Sequence, residues 1–193
     1  MHYTLHLTND CNLECRYCYV DGHHIRNMAL ETAKKAVDLA AESKGRSKGI
    51  IFFGGEPLLH KDMIKETISY GKQKEKENGC LFHYKVTTNG TLLDEDFIRF
   101  SCRENLFIAL SHDGVQKAHD KNRINKEGAG TFSLLEEKIE MLLSYRPYAP
   151  VLMVINPDTV QYYAESVDYL YGKGFKYIIC SLNYAGNWTN RDL

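Results

Sequence analysis

The residues best suited to chemistry come early. From Thr8 to Val20 the chain reads TNDCNLECRYCYV, and three of its six cysteines, Cys11, Cys15 and Cys18, form a C-x3-C-x2-C pattern. A loop this short folds three thiolates toward one point, and soft sulfur donors suit zinc or an iron–sulfur cluster. Closed structural sites of either kind take four protein ligands. The next cysteine in the chain is Cys80, so this loop offers three. Three sulfurs on a four-iron cube leave one iron open to bind another molecule, which marks the loop as a reactive centre rather than a clamp.

The elements that must position this loop follow from periodicity. His2 to Leu7 alternates with Tyr3, Leu5 and Leu7 on one face, a strand that delivers the cysteines onto its exit. Beyond the loop, strand and helix patterns alternate. Residues 28–43 carry Leu30, Ala33, Val37, Ala40 and Ala41 at helical spacing, and Lys48 to Phe53 is a short apolar strand ending in Gly54-Gly55-Glu56-Pro57. Residues 61–78 form an amphipathic helix with Met63, Ile64, Ile68 and Tyr70, its Lys72-to-Glu77 charges being a solvated face. Leu81 to Thr87 is a third strand, ending in Thr88-Asn89-Gly90-Thr91; Asp94 then caps a short helix through Phe100. Asn105 to Leu110 is a fourth strand, ending in Ser111-His112-Asp113-Gly114. A polar loop and Gly128-Ala129-Gly130 lead to a helix from Thr131 to Ser144. Pro147 and Pro150 precede strand Val151 to Ile155, helix Thr159 to Tyr171 ends near Gly172 and Gly174, and Phe175 to Leu182 is a sixth strand.

Five strand–helix units and a sixth strand predict an α/β fold of parallel strands with right-handed crossovers and functional loops at the strand C-terminal ends. A length of 193 residues excludes a closed eight-stranded barrel and suits one domain with a sizeable core. Trp188 to Leu193 reads as the entry to a further helix, with Thr189 or Asn190 as its cap.

With 44% hydrophobic and 25% charged residues and a net charge of −1, the chain shows no general attraction for nucleic acid or membrane. No secretory leader and no run long enough to span a membrane is read. Clustered cysteines in a chain of this length do not form a secreted disulfide framework, so a reducing cytoplasm is expected. Cys80, Cys102 and Cys180 read as buried structural thiols. The eight histidines lack metal-ligand spacing, with His23-His24 on a loop surface. There is no Walker-type phosphate loop, and no Ser/His/Asp arrangement can be assembled.

The C-x3-C-x-aromatic-C loop after a first strand resembles the cluster loop of the radical S-adenosyl-L-methionine (radical SAM) enzymes. The resemblance covers nearly the whole chain and implies a partial (β/α)6 barrel of the TIM type. It implies that Cys11, Cys15 and Cys18 hold a 4Fe-4S cluster whose open iron chelates the amino and carboxylate groups of SAM. Reductive cleavage then gives a 5′-deoxyadenosyl radical that abstracts a substrate hydrogen. Gly54-Gly55-Glu56-Pro57 is similar to the family's GGEP turn, whose main chain binds the SAM ammonium; Glu56 either helps by charge or braces the turn. Tyr17 lies against adenine, or is a core aromatic, and Tyr19 is packing. Thr88-Asn89-Gly90 resembles the family's TNG turn, shaping the cavity floor or simply turning the chain. Ser111-x-Asp113-Gly114 resembles its SxDG turn, where Ser111 bonds the methionyl or ribose end and Asp113 orders the turn. His112 stands where the family has an apolar residue, and reads as a core side chain or a substrate contact. Arg123 matches an arginine that faces the SAM carboxylate, against a solvated surface arginine, while Asn156 and Leu182 face ribose and adenine.

The TNG, SxDG and Arg123 set leans toward the peptide- or protein-modifying branch, which includes the sulfatase maturases. Relatives there continue into a cysteine-rich auxiliary-cluster domain, the SPASM or twitch extension, and none of it is read in residues 1–193. The resemblance implies a peptide or protein substrate and an electron donor such as flavodoxin or ferredoxin. No catalytic acid or base is identified. Two other readings stand beside it: an iron–sulfur electron carrier or sensor, and a zinc-stabilised binding module. Within the family, a small-molecule substrate is the alternative.

Overall fold

A computed structural model describes residues 1–20 and 24–190. The sheet has six parallel strands in chain order: β1 (His2–Thr8), β2 (Ser47–Gly54), β3 (Leu81–Thr88), β4 (Leu106–Ser111), β5 (Val151–Ile155) and β6 (Ile178–Leu182). Helices α1 (Leu30–Glu42), α2 (Lys61–Asn78), α3 (Glu95–Glu104), α4 (Gln116–Asn122), α5 (Phe132–Tyr145) and α6 (Tyr163–Gly172) make the crossovers. Short 3-10 turns at Pro57–His60 and Val160–Tyr162 lead into α2 and α6. This is the parallel α/β architecture of a partial, TIM-like barrel. The chain divides into two compact units: Met1–Cys11, Val20–Thr88 and Asp96–Ile108 in the first, and Asn12–Tyr19, Asn89–Glu95 and Ala109–Leu193 in the second.

In the first unit, β1 and β2 pair in register from His2 with Gly49 to His6 with Phe53, and β2 pairs with β3. Leu5, Leu7, Ile50, Phe52, Phe82, Tyr84 and Val86 supply its buried strand positions. On α1 the buried residues are Ala33, Val37, Ala40 and Ala41, as their helical spacing requires. Lys48 departs from the apolar pattern of β2 and is 1% exposed. Its ammonium donates to the Ser43 and Lys44 carbonyls and to Ser43 Oγ, so it neutralises the negative end of α1. Helix α2 ends at Gly79, whose φ of +64° is the left-handed cap that glycine adopts without strain.

In the second unit, β5 and β6 pair from Val151 with Ile178 to Ile155 with Leu182. Leu135, Ile139 and Leu142 of α5 and Leu170 of α6 are buried.

Several expectations are corrected. The polar loop after β4 contains helix α4, which periodicity could not reveal because two of its three buried residues, His119 and Asn122, are polar. Strand β6 begins at Ile178, not at Phe175, which is buried just before it. None of Cys80, Cys102 and Cys180 is fully buried: Cys102 is exposed and the other two are half-buried. Cys102 lies on α3 away from the buried Phe97, Ile98, Phe100 and Ser101, and Cys180 lies on the edge strand. Tyr19 does not pack, being 77% exposed. Among the described residues no helix follows β6, so neither Thr189 nor Asn190 caps a described helix; Arg191, Asp192 and Leu193 lie outside the described residues, as does His23, whereas His24 is exposed. No helix among the described residues is long and apolar enough to cross a membrane.

Candidate functional site

The first unit carries Cys11 and the turn after β2. The exit of β1 is fixed by short-range bonds: Thr8 Oγ1 accepts from the Asp10 amide at 2.9 Å, and Asp10 Oδ1 accepts from the Cys11 amide at 2.9 Å. The amides of Gly55 and Glu56 donate to the Thr8 and Asp10 carbonyls, both at 2.8 Å. These approaches leave no room for side chains. A Cβ on Gly54 would lie 2.2 Å from the Thr8 carbonyl oxygen, and one on Gly55 2.0 Å from that of Asp10; Gly54 also has a φ of +131°. Glu56 is fully buried, accepting from the Leu58 amide at 2.9 Å and the Thr88 hydroxyl at 2.7 Å. Of its two sequence readings, the structure shows the brace.

The second unit carries Cys15 and Cys18, joined by a turn in which the Cys18 amide donates to the Cys15 carbonyl at 3.0 Å. The loop is tied along its length. Asn12 Nδ2 donates to Thr91 Oγ1 at 2.7 Å, and Asn89 Nδ2 donates to Asn12 Oδ1 at 3.0 Å. Glu14 and Arg16 donate their amides to the carbonyls of Ile124 and Asn122 at 2.8 and 2.9 Å. Asn89 Oδ1 also accepts from the Thr91 amide at 3.0 Å, so the TNG turn shapes itself as well as the loop.

The turn after β4 forms a buried charged knot. Asp113 accepts from Arg123 Nε at 2.9 Å and Nη2 at 3.1 Å, from the Tyr17 hydroxyl at 2.6 Å and from the Val154 amide at 3.0 Å. Arg123 is 6% exposed, so the solvated-arginine reading is excluded. Its guanidinium lies 5.5 Å from the Tyr17 ring centroid. Burial opposes its charge, but Asp113 more than offsets this and raises its pKa. Burial also lifts the Tyr17 phenol well above its ordinary range, partly countered by Arg123. His112 resolves to a core side chain: it is buried beside the rings of His119, Phe132 and Tyr169. Ser111 is half-buried. Sequence reading missed His119 and Asn12, because nothing in a polar loop marks which polar residue turns inward.

A cavity of about 340 Å³ in the second unit is lined by Arg16, Tyr17, Asn122, Asn156 and Asn183 among others. Asn156 is buried; its Oδ1 accepts from Asn183 Nδ2 at 2.8 Å, while its Nδ2 has no partner among the described residues. Leu182 ends β6, 46% exposed, and is not among the lining residues.

Among the described residues no three His, Cys, Asp or Glu side chains are grouped to hold a single metal ion. Thiolates are soft donors of the kind that iron–sulfur clusters take. Cys11 and Cys15 are half-buried and Cys18 is exposed.

Comparison with known proteins agrees. The Radical SAM superfamily profile matches residues 5–186. The chain is 27% identical to a cysteine-type anaerobic sulfatase-maturating enzyme of Clostridium novyi, over 89% of this chain and 48% of that one. It is 30% identical to an uncharacterized protein of Methanocaldococcus jannaschii, over 92% of this chain and 60% of the relative. The chain thus spans about half the length of the curated maturating enzyme it matches. The fold matches native anSMEcpe with bound AdoMet and a Kp18Cys peptide at a TM-score of 0.90 and 23% identity, over 99% of this chain and 56% of that one. Solved radical SAM structures contain bound AdoMet or a 4Fe-4S cluster, the cofactors that these enzymes use. From the profile match and the shared fold, the chain belongs to the Radical SAM superfamily of enzymes.

Proposed function

We propose that residues 1–193 are the core domain of a radical SAM maturase that acts on a peptide or protein. The observation that carries this is the C-x3-C-x2-C trio of cysteines on the loop leaving β1, inside a chain matched by the family profile. When bound, the cluster and SAM together supply a 5′-deoxyadenosyl radical able to abstract a substrate hydrogen. Cys11, Cys15 and Cys18 serve as the three thiolate ligands. In the first unit, the Gly55 and Glu56 amides are already committed to the Thr8 and Asp10 carbonyls, so the Gly54–Glu56 turn offers carbonyls, the acceptors that a SAM ammonium needs. In the second unit, Arg123 has Nε and Nη2 committed to Asp113, so a SAM carboxylate meets it through Nη1. Ser111 bonds the methionyl or ribose end. The cavity beside Tyr17 suits a nucleoside, with Asn156 Nδ2 as a buried donor for it. Thr88 and Asn89 act on the turns rather than on SAM, and Leu182 lends an apolar edge.

The peptide branch is supported by relatives named for cysteine-type and serine-type sulfatase maturation. A flavodoxin or ferredoxin supplies the electron, in a reducing cytoplasm. Anaerobic reconstitution tests the whole reading. About four irons per chain, an EPR change of the reduced cluster on adding SAM and release of 5′-deoxyadenosine are expected. Replacing Cys11, Cys15 or Cys18 by Ala abolishes the cluster, and Cys80→Ala does not. One zinc per chain, or a cluster blind to SAM, overturns it. Turnover of Cys- or Ser-containing peptides separates the maturase from an enzyme of small molecules.

A further inference from the structure

Two buried histidines stand behind the β4 turn and take no part in the function proposed above. His112 and His119 are both 0% exposed, with ring centroids 4.2 Å apart. Their hydrogen bonds define their tautomers. The Asp113 amide donates to His119 Nδ1 at 3.3 Å, and the Gly114 amide donates to His112 Nδ1 at 3.1 Å. A neutral imidazole that accepts at Nδ1 carries its proton on Nε2. His119 Nε2 therefore donates to Thr131 Oγ1 at 3.1 Å, and the Thr131 hydroxyl donates onward to the Arg123 carbonyl at 2.9 Å. The Arg123 amide returns to the His119 carbonyl at 2.8 Å.

One ring thus grips the main chain of both partners of the buried ion pair. Its Nδ1 holds Asp113, and its Nε2, through Thr131, holds Arg123. The paired side chains in turn receive the Tyr17 hydroxyl, and Tyr17 lies between Cys15 and Cys18. Burial keeps both rings neutral, so Nδ1 remains an acceptor at ordinary pH.

We propose that His119 is a positioning residue for the cysteine loop, its Nδ1 setting the Asp113 main chain so that the Asp113–Arg123 pair holds Tyr17 and, with it, residues Asn12–Tyr19. The role in ordering the loop stands without the cluster; its consequence for SAM rests on the proposed function.

Three substitutions separate the parts of the ring. His119→Asn keeps an acceptor where Nδ1 sits, His119→Gln keeps a donor near Nε2, and His119→Ala keeps neither. Amide hydrogen exchange on the cluster-free protein reads the loop directly, at Glu14 and Arg16. His119→Ala and His119→Gln are expected to exchange there about tenfold faster or more, with α1 amides unchanged, while His119→Asn stays within about threefold of the parent. On the reconstituted protein, the EPR change caused by SAM should weaken in His119→Gln and recover in His119→Asn. Should His119→Ala fail to fold, the Asn and Gln variants carry the comparison. Equal exchange in the Asn and Gln variants, or no change in any variant, overturns the proposal. A parent protein that forms no SAM-responsive cluster overturns the functional reading instead, and leaves the exchange result valid.

Discussion

The turn after β2 and the turn after β4 meet similar demands by opposite means. In the first unit, Gly54-Gly55 is held by main-chain hydrogen bonds to Thr8 and Asp10 at separations that exclude a Cβ. In the second, Ser111-His112-Asp113-Gly114 is held by side chains: a buried carboxylate with four donors, and two neutral imidazoles capping its amides. A turn fixed by close backbone contact tolerates no added atom. A turn fixed by a charged network tolerates no lost partner. The two should therefore fail under different perturbations.

The largest effect is expected where a partner is removed from the second turn. Arg123→Ala leaves the Asp113 carboxylate buried without its cation, and denaturant unfolding should show a loss of about 4 kcal/mol. A smaller loss would mean that the Tyr17 hydroxyl and the Val154 amide suffice. Next comes Gly55→Ala in the first turn. Its new Cβ meets only backbone, 2.0 Å from the Asp10 oxygen, so no rotamer change relieves it, and about 3 kcal/mol should be lost. An alanine accepted there without loss would break the contrast between the turns. Thr88→Val keeps the volume at a buried site but removes a donor to the Glu56 carboxylate; a loss of about 2 kcal/mol is expected.

The smallest effect separates the turns by pH. Burial, with Arg123 and Lys173 nearby, lowers the His112 pKa from 6.5 to about 3. The unfolded state binds this proton first, so the stabilising contribution is whole above pH 6.5 and is lost as pH falls toward 3. Each such ring contributes a slope of about 1.4 kcal/mol per pH unit in that window. His112→Asn keeps an acceptor for the Gly114 amide but cannot titrate, so stability measured between pH 6 and 5 should fall less steeply by about that amount. An unchanged slope would show that His112 is not the titrating group.

What could be read in advance was local. The cysteine spacing, Gly54-Gly55-Glu56-Pro57 and Thr88-Asn89-Gly90 are runs of neighbouring residues whose chemistry needs no partner to be named. The strands and the longer helices were legible because burying one face imposes a period. Helix α4 was not, since two of its three inward residues are a histidine and an asparagine. The three scattered cysteines were misjudged because residue type carries a burial tendency but not a facing direction. Glu56 was seen with two roles left open, charge or brace, since its partner Thr88 lies 32 positions away.

Sequence alone determined the strand–helix alternation, the three-thiolate loop and the membership of a family, because these depend on spacing along the chain. Only the tertiary structure decided that Arg123 is locked to Asp113, that Tyr17 joins them from 96 positions away, and that His112 and His119 are neutral acceptors in the core. Those roles depend on which polar groups lose water together, and that is settled by long-range packing rather than by the identity of any one residue.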